Sequence, residues 1–243
     1  MPVADRTPAV TAPPRPADLP PWLATATGRL FGALSGARRA RVFHPRGLTL
    51  HGTARLTGEV GRLLAPEATG PVPVVVRLSR GLGLRHPLPD FNGVAVKVPE
   101  AHGPGRDQDL LLVSSLRAPV GRHLLVPAPA FSSTGSSTIL PYRTPHGLVL
   151  FRAGPVDPGT LADVPDGLPV TIGLFAAPLL GRWERIAELV LDHHVADDEA
   201  ADRELAFDPW HTGEDLVPAG VLNRLRLPAY AASRAARPGP AGP

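Results

Sequence analysis

Alternation is the clearest signal along the chain. The segment 48–56, Leu-Thr-Leu-His-Gly-Thr-Ala-Arg-Leu, switches between apolar and polar positions with period two, and so does 94–98, Val-Ala-Val-Lys-Val. That period belongs to a pleated strand with one buried face. The segment 72–79 is short and β-branched, and 109–113, 147–152, 170–175, 185–191 and 204–207 follow with similar character. Turn-forming stretches at 81–90 and 101–107 separate them. About eight short strands at regular spacing predict an antiparallel barrel or sandwich. Three windows carry helical spacing instead: 27–39 with Leu30, Phe31 and Leu34, 115–126 with Val120, Leu124 and Leu125, and 221–237 with Leu222, Leu225, Ala229 and Tyr230. Pro228 interrupts the last, so its helix is expected to start near 227.

Composition trims this picture at both ends. The chain has 243 residues, of which 31 are Pro and 25 are Gly, so long helices are excluded outside those windows. Residues 1–21 hold seven prolines and few large apolar side chains, which predicts a disordered tail. A second short Pro/Gly tail covers 238–243, leaving 22–237 as one folded domain. There is no Cys, which excludes disulfides, thiolate metal sites and a Cys nucleophile. No membrane-length apolar run and no secretory leader pattern is present, so a cytoplasmic location is expected. Net charge is +3, with Lys97 the single Lys and Arg spread along the chain. A nucleic-acid binder would gather its charge in one patch, so no nucleic-acid partner is expected.

Four constellations could carry chemistry. His44 sits in Arg41-Val-Phe-His-Pro-Arg-Gly47, at the mouth of the first strand, where a general acid–base or an ordinary surface His could stand. Arg77 and Ser79 share one face of a strand whose other face carries Val76 and Leu78. That pair needs polar company, supplied by solvent, an anion or a buried His. Arg226 and Tyr230 lie four apart on one helical face, with Arg237 two turns beyond. A guanidinium beside a phenol favours the phenolate, a ligand suited to ferric iron, although an amphipathic helix with an interfacial Tyr has the same spacing. Asp192, His193, His194, Asp197, Asp198 and Asp202 are the densest set of potential metal ligands, but they lack a metal-site spacing and read as a solvated acidic loop. Nucleophile elbows, phosphate loops and dinucleotide fingerprints are missing, and the run 131–138, Phe-Ser-Ser-Thr-Gly-Ser-Ser-Thr, reads as a flexible polar loop.

Taken in order, these segments resemble the haem-dependent catalase superfamily. Arg41-Val-Phe-His44-Pro-Arg-Gly47, Val76-Arg77-Leu-Ser79, Asp90-Phe-Asn-Gly93-Val-Ala-Val-Lys97 and Asp109-Leu-Leu follow the family's sequence of motifs, and Arg226-x-x-x-Tyr230 closes it. The resemblance spans about 38–113 and 219–237. It implies a mainly β, α+β fold, an eight-stranded antiparallel barrel with flanking helices. It implies haem as cofactor and a peroxide as small-molecule partner. His44 then matches the distal histidine, Ser79 the serine that orients it, and Tyr230 the axial ligand of the haem iron. Arg226 matches the arginine that keeps the phenol ionised, and Arg41, Arg77 and Arg237 match those that pair with haem propionates. Two positions depart from the family: the distal Asn falls at Val113 or Ser114, and Asn92 replaces an Arg. Tyr230 follows His44 by about 186 residues, fewer than in full-length members, so their wrapping and helical domains are expected to be absent between them.

The expectation is therefore a small haem protein with weak catalase or peroxidase activity on hydrogen peroxide or organic peroxides. Two other readings share the barrel: a phosphodiesterase-type hydrolase with a divalent metal at 192–198, and a non-catalytic ligand-binding barrel.

Overall fold

A computed structural model describes residues 46–157, 159–194 and 205–219. The alternating segments form strands with a shared inner face. Val74, Val76 and Leu78 on β2 (Val72–Arg80) are buried in the core, as are Leu50 and Ala54 on β1 (Arg46–Leu56). The same holds for Val94, Val96 and Val98 on β3 (Asn92–Val98) and for Leu110 and Leu112 on β4 (Gln108–Ser114). Phe151 and Ala153 on β7 (Gly147–Ala153), Ile172 and Leu174 on β8 (Val170–Pro178), and Leu189 and Leu191 on β9 (Glu184–His194) complete the lining. Each such side chain contributes roughly 1.5–3 kcal/mol when fully buried. A slip of one residue would turn the whole set outward, so this core also fixes the register.

All pairings between the named strands of the described residues are antiparallel. β1 pairs with β2 and β9, β2 with β3, β3 with β4, and β4 with β5 (Ser136–Ser137). β5 pairs with β7, β7 with β8, and β8 with β9, which closes a barrel of eight strands. β6 (Tyr142–Thr144) continues along the β7 edge that β5 begins, and β10 (Val217–Pro218) adds to β6. A bulge in β9 lies opposite the His51–Gly52 step of β1. The backbones come so close there that a Cβ on Gly52 would stand 2.0 Å from the Val190 carbonyl oxygen. One short helix, α1 (Gly58–Arg62), follows β1, and Leu64 and Ala65 just beyond it join the core.

The predicted barrel is thus observed, with three local corrections. The window 115–126 is not a helix. Pro119 interrupts it and Pro127 follows it directly, Ser115 bridges to Leu125, and a single 3-10 turn forms at Gly121–His123. Its apolar stripe has nothing to cover, and Leu116, Val120, Leu124 and Leu125 stay exposed. Residues 205–207 form no strand; β5 takes that place in the barrel instead. β5 lies in the supposed flexible polar run, where the hydroxyls are consumed locally: Ser137 Oγ donates to the Arg122 carbonyl at 2.7 Å, and Thr138 Oγ1 accepts from the Phe151 amide at 3.3 Å. Polar residues with such partners can be buried. Third, β9 runs through Asp192, His193 and His194 rather than ending before an acidic loop. The windows 27–39 and 221–237 and both tails lie outside the described residues.

Candidate functional site

Positions between the core residues of β1–β4 face outward, and cross-strand register arranges them in rows. The first row is Gly47, Ser79, Gly93 and Val113; the second is Thr49, Arg77, Ala95 and Leu111; the third is His51, Val75, Lys97 and Asp109. Arg77 and Ser79 therefore share a face, as the sequence required. Although that face points away from the core, the two residues are only 4% and 5% exposed. Ser79 Oγ lies 3.5 Å from the Gly93 carbonyl oxygen. The guanidinium of Arg77 lies across Gly47, where a Cβ would stand 2.5 Å from Cζ. The Gly of the first motif is thus the space that the Arg of the second occupies.

The two departures from the family pattern have definite places. Val113 stands in the Ser79 row, while Ser114 shares the face of Leu110 and Leu112. Ser114 Oγ accepts from the Asn92 amide at 3.1 Å and donates to the Val126 carbonyl at 2.6 Å, so it is committed elsewhere. Asn92 itself is buried, with Nδ2 donating to Ala128 at 3.3 Å and Oδ1 accepting from Arg80 at 3.4 Å. Arg80 and Asp90 pin the intervening loop: Asp90 accepts from the amides of Leu82, Leu84 and Phe91, and Arg80 donates to the carbonyls of Leu84, Leu88 and Pro129. Of the other sequence candidates, Arg41, His44, Arg226, Tyr230 and Arg237 lie outside the described residues.

The third row holds a cluster that the sequence reading missed. Lys97 Nζ lies 2.8 Å from both Asp107 Oδ2 and Asp109 Oδ1, and Asp109 is fully buried. The contact to Oδ1 is ionic and lacks hydrogen-bond alignment, since that oxygen has no hydrogen-bond partner. Asp109 Oδ2 accepts from the Asp208 amide at 2.9 Å and lies 3.1 Å from His211 Nδ1. The Asp109 amide in turn donates to the His211 carbonyl at 2.7 Å, and Phe207 covers Lys97 at 5.5 Å. Burial pushes the Asp109 carboxyl above its ordinary pKa, against the hydrogen bonds of His211 and Lys97. Burial acts the same way on Asp107, but there Lys97 and the Glu100 amide win and the pKa is lowered. Asp107, Asp109 and His211 have the composition of a metal site. The Lys97 ammonium already serves as their cation, so the cluster reads as a clamp on 205–213. A Lys and an Asp in separate motifs gave no sequence signal for it; only the β3–β4 register brings them opposite one another.

The 192–198 candidate divides. Asp192 and His193 are exposed at the end of β9, with Asp192 Oδ1 2.6 Å from His193 Nδ1. The hydrogen bond to His193 holds the Asp192 carboxyl below its usual range. No third ligand-type group converges with them among the described residues, and Asp197, Asp198 and Asp202 lie outside those residues.

No protein-family profile and no curated protein sequence matches the chain. Solved structures do. The chain is similar to a fungal catalase with TM-score 0.57 and 14% identity, over 97% of this chain and 65% of that one. It is similar to catalase A from Saccharomyces cerevisiae with TM-score 0.57 and 12% identity, over 85% of this chain and 63% of that one. By fold, then, the protein is a catalase-like barrel. It spans somewhat less than two thirds of the length of those catalases. No helix among the described residues is long and apolar enough to cross a membrane.

Proposed function

We propose that the outer face of β1–β4 is one wall of a haem pocket and that the protein is a peroxide-consuming haem oxidoreductase. The observation that carries this reading is the buried pair Arg77 and Ser79 on a face where their cross-strand neighbours Gly47, Gly93 and Ala95 are small, with Thr49, Leu111 and Val113 completing the two rows. Small side chains leave a flat surface against which a planar macrocycle can lie, and Arg77 supplies a fixed cation for a propionate. Gly47 fits the same purpose, because any Cβ there would displace the guanidinium. The catalase-like fold supports the assignment at the level of architecture.

The residues divide the work by chemistry. Arg77, with Arg41 and Arg237, pairs with carboxylates at the rim. Tyr230 would hold the iron through its phenolate, and Arg226 would keep that oxygen ionised. His44 would act as the general acid–base, holding and releasing a proton at its imidazole toward a peroxide substrate. Ser79 is a positioning residue that would hold the His44 imidazole ring in orientation through its hydroxyl. When bound, haem supplies the redox equivalents that this chain's side chains lack.

The Val113 position decides which reaction dominates. Consuming two peroxides in turn requires a hydrogen-bond donor to orient the second, and Val113 offers none. Loss of a positioned donor costs about 10²–10³ in rate. One-electron oxidation of small organic donors, which needs no second oriented peroxide, is less affected. Oxygen evolution and oxidation of a chromogenic phenol, measured on one haem-loaded sample, test this. Phenol oxidation is expected to dominate; oxygen release at the rate of a full catalase would overturn the reading.

A further inference from the structure

Four guanidiniums gather on another part of the barrel with no carboxylate of the described residues paired to them. Arg117 and Arg122 come from the loop after β4, Arg152 from the outer face of β7, and Arg182 from the turn between β8 and β9. Arg122 is 1% exposed and Arg152 is 6% exposed. Among the described residues, no Asp or Glu forms an ion pair with any of the four. Burying an unpaired cation is costly. The available partners are dipoles and a ring face. Arg122 donates to the carbonyls of Pro178 at 3.2 Å and Gly181 at 2.9 Å, and Arg152 to that of Leu116 at 3.4 Å. Trp183 presents its ring 4.4 Å from Arg122 Cζ and 5.9 Å from Arg152 Cζ, with Nε1 donating to the Arg117 carbonyl at 3.1 Å. These contacts leave the charge without a counter-ion, and Arg122 Nε is buried with no hydrogen-bond partner. Burial, with the nearby charges of Arg117 and Arg122, brings the Arg152 pKa down to about 10.

A cleft of about 380 Å³ opens over this group, and Arg117, Arg122 and Arg182 line it together with Pro119, Leu180 and Trp183. Donors occupy one part of the wall, and apolar surface the rest; Leu180 is 72% exposed. Guanidiniums match oxyanions in shape and charge, and a low-dielectric setting strengthens the attraction. We propose that this cleft binds a small molecule with an oxyanion head, phosphate or carboxylate, on an apolar body. The head neutralises the arginines, and the body lies on Pro119, Leu180 and the accessible part of Trp183. The site draws on elements other than the Arg77 face, so it stands independently of haem.

Calorimetric titration of the full chain with phenyl phosphate, benzoate and uncharged phenol at fixed ionic strength tests the assignment. At least one anion is expected to bind saturably below about 10 mM, and the stronger of the two identifies the head. Phenol is expected not to bind. The Arg117→Ala/Arg182→Ala protein changes only exposed members of the group, so its fold is expected to be unchanged by circular dichroism, while its affinity drops at least tenfold. Saturation by neither anion, equal binding of phenol, or unchanged affinity in the double variant would each overturn the proposal.

Discussion

Replacing Asp109 by Ala would remove the centre of the clamp that ties 205–213 to β4. Asp109 is fully buried and serves three partners: Lys97, the Asp208 amide and His211. Lys97 would remain, with a side chain only 8% exposed, beside Asp107 alone, which is 29% exposed. Breaking a buried ion pair from one side costs about 3–5 kcal/mol, because the other charge stays behind. Asp107 keeps part of the compensation, which places the cost near the lower end, about 3 kcal/mol. For a folded region of this size each kcal/mol shifts Tm by about 2–4 °C, so the melting temperature should fall by roughly 6–12 °C. Thermal unfolding followed by circular dichroism reads the shift. Hydrogen exchange should show the amides of Asp208 and Trp210 losing protection first, since their bonds run through Asp109 and Asp208. The Lys97→Met/Asp109→Leu protein should recover part of the loss, because neither charge is then stranded. A melting temperature for Asp109→Ala within about 1 °C of the parent protein would refute the electrostatic argument.

Two further substitutions probe the Arg77 face. Ser79→Ala should lower peroxide turnover of haem-loaded protein by about one hydrogen bond, ~1 kcal/mol, with an altered pH–rate profile because the orientation of His44 is loosened; identical rates and profiles would place Ser79 outside the site. Gly47→Ala forces its Cβ against the Arg77 guanidinium, at 2.5 Å from Cζ. It should weaken hemin affinity while leaving the melting temperature of haem-free protein within about 2–4 °C, and undiminished affinity would detach Arg77 from cofactor binding.

The barrel was legible because its strands obey one simple rule. Val74, Val76 and Leu78 are buried together, and Arg77 and Ser79 fall on the opposite face, as alternation demands. What alternation cannot report is burial on the second face. The sequence left solvent open as the company for Arg77 and Ser79, yet both are buried, because a barrel's outer face can itself be covered. Windows without alternation misled in both directions. Leu124 and Leu125 have helical spacing but are exposed in an extended loop between prolines. Ser136 and Ser137 have loop composition but are buried in β5, where the Arg122 carbonyl and the Ile139 amide take up the Ser137 hydroxyl. The Lys97–Asp109 clamp and the arginine cleft were invisible for another reason. Each assembles residues distant in sequence, and single charged residues spread along a chain look alike until a register pairs them.

The haem reading proposed above rests on Tyr230 as the residue that would hold the iron. Titrating the full-length protein with hemin and recording the absorption spectrum tests it most directly, with Tyr230→Phe measured beside it. A saturable Soret band with high-spin ferric features is expected in the parent protein. In Tyr230→Phe, which keeps the ring and removes only the oxygen, lost haem or a shifted spectrum is expected while the far-ultraviolet circular dichroism stays the same. No Soret band in the parent protein, or the same haem spectrum in both proteins, would contradict the haem reading.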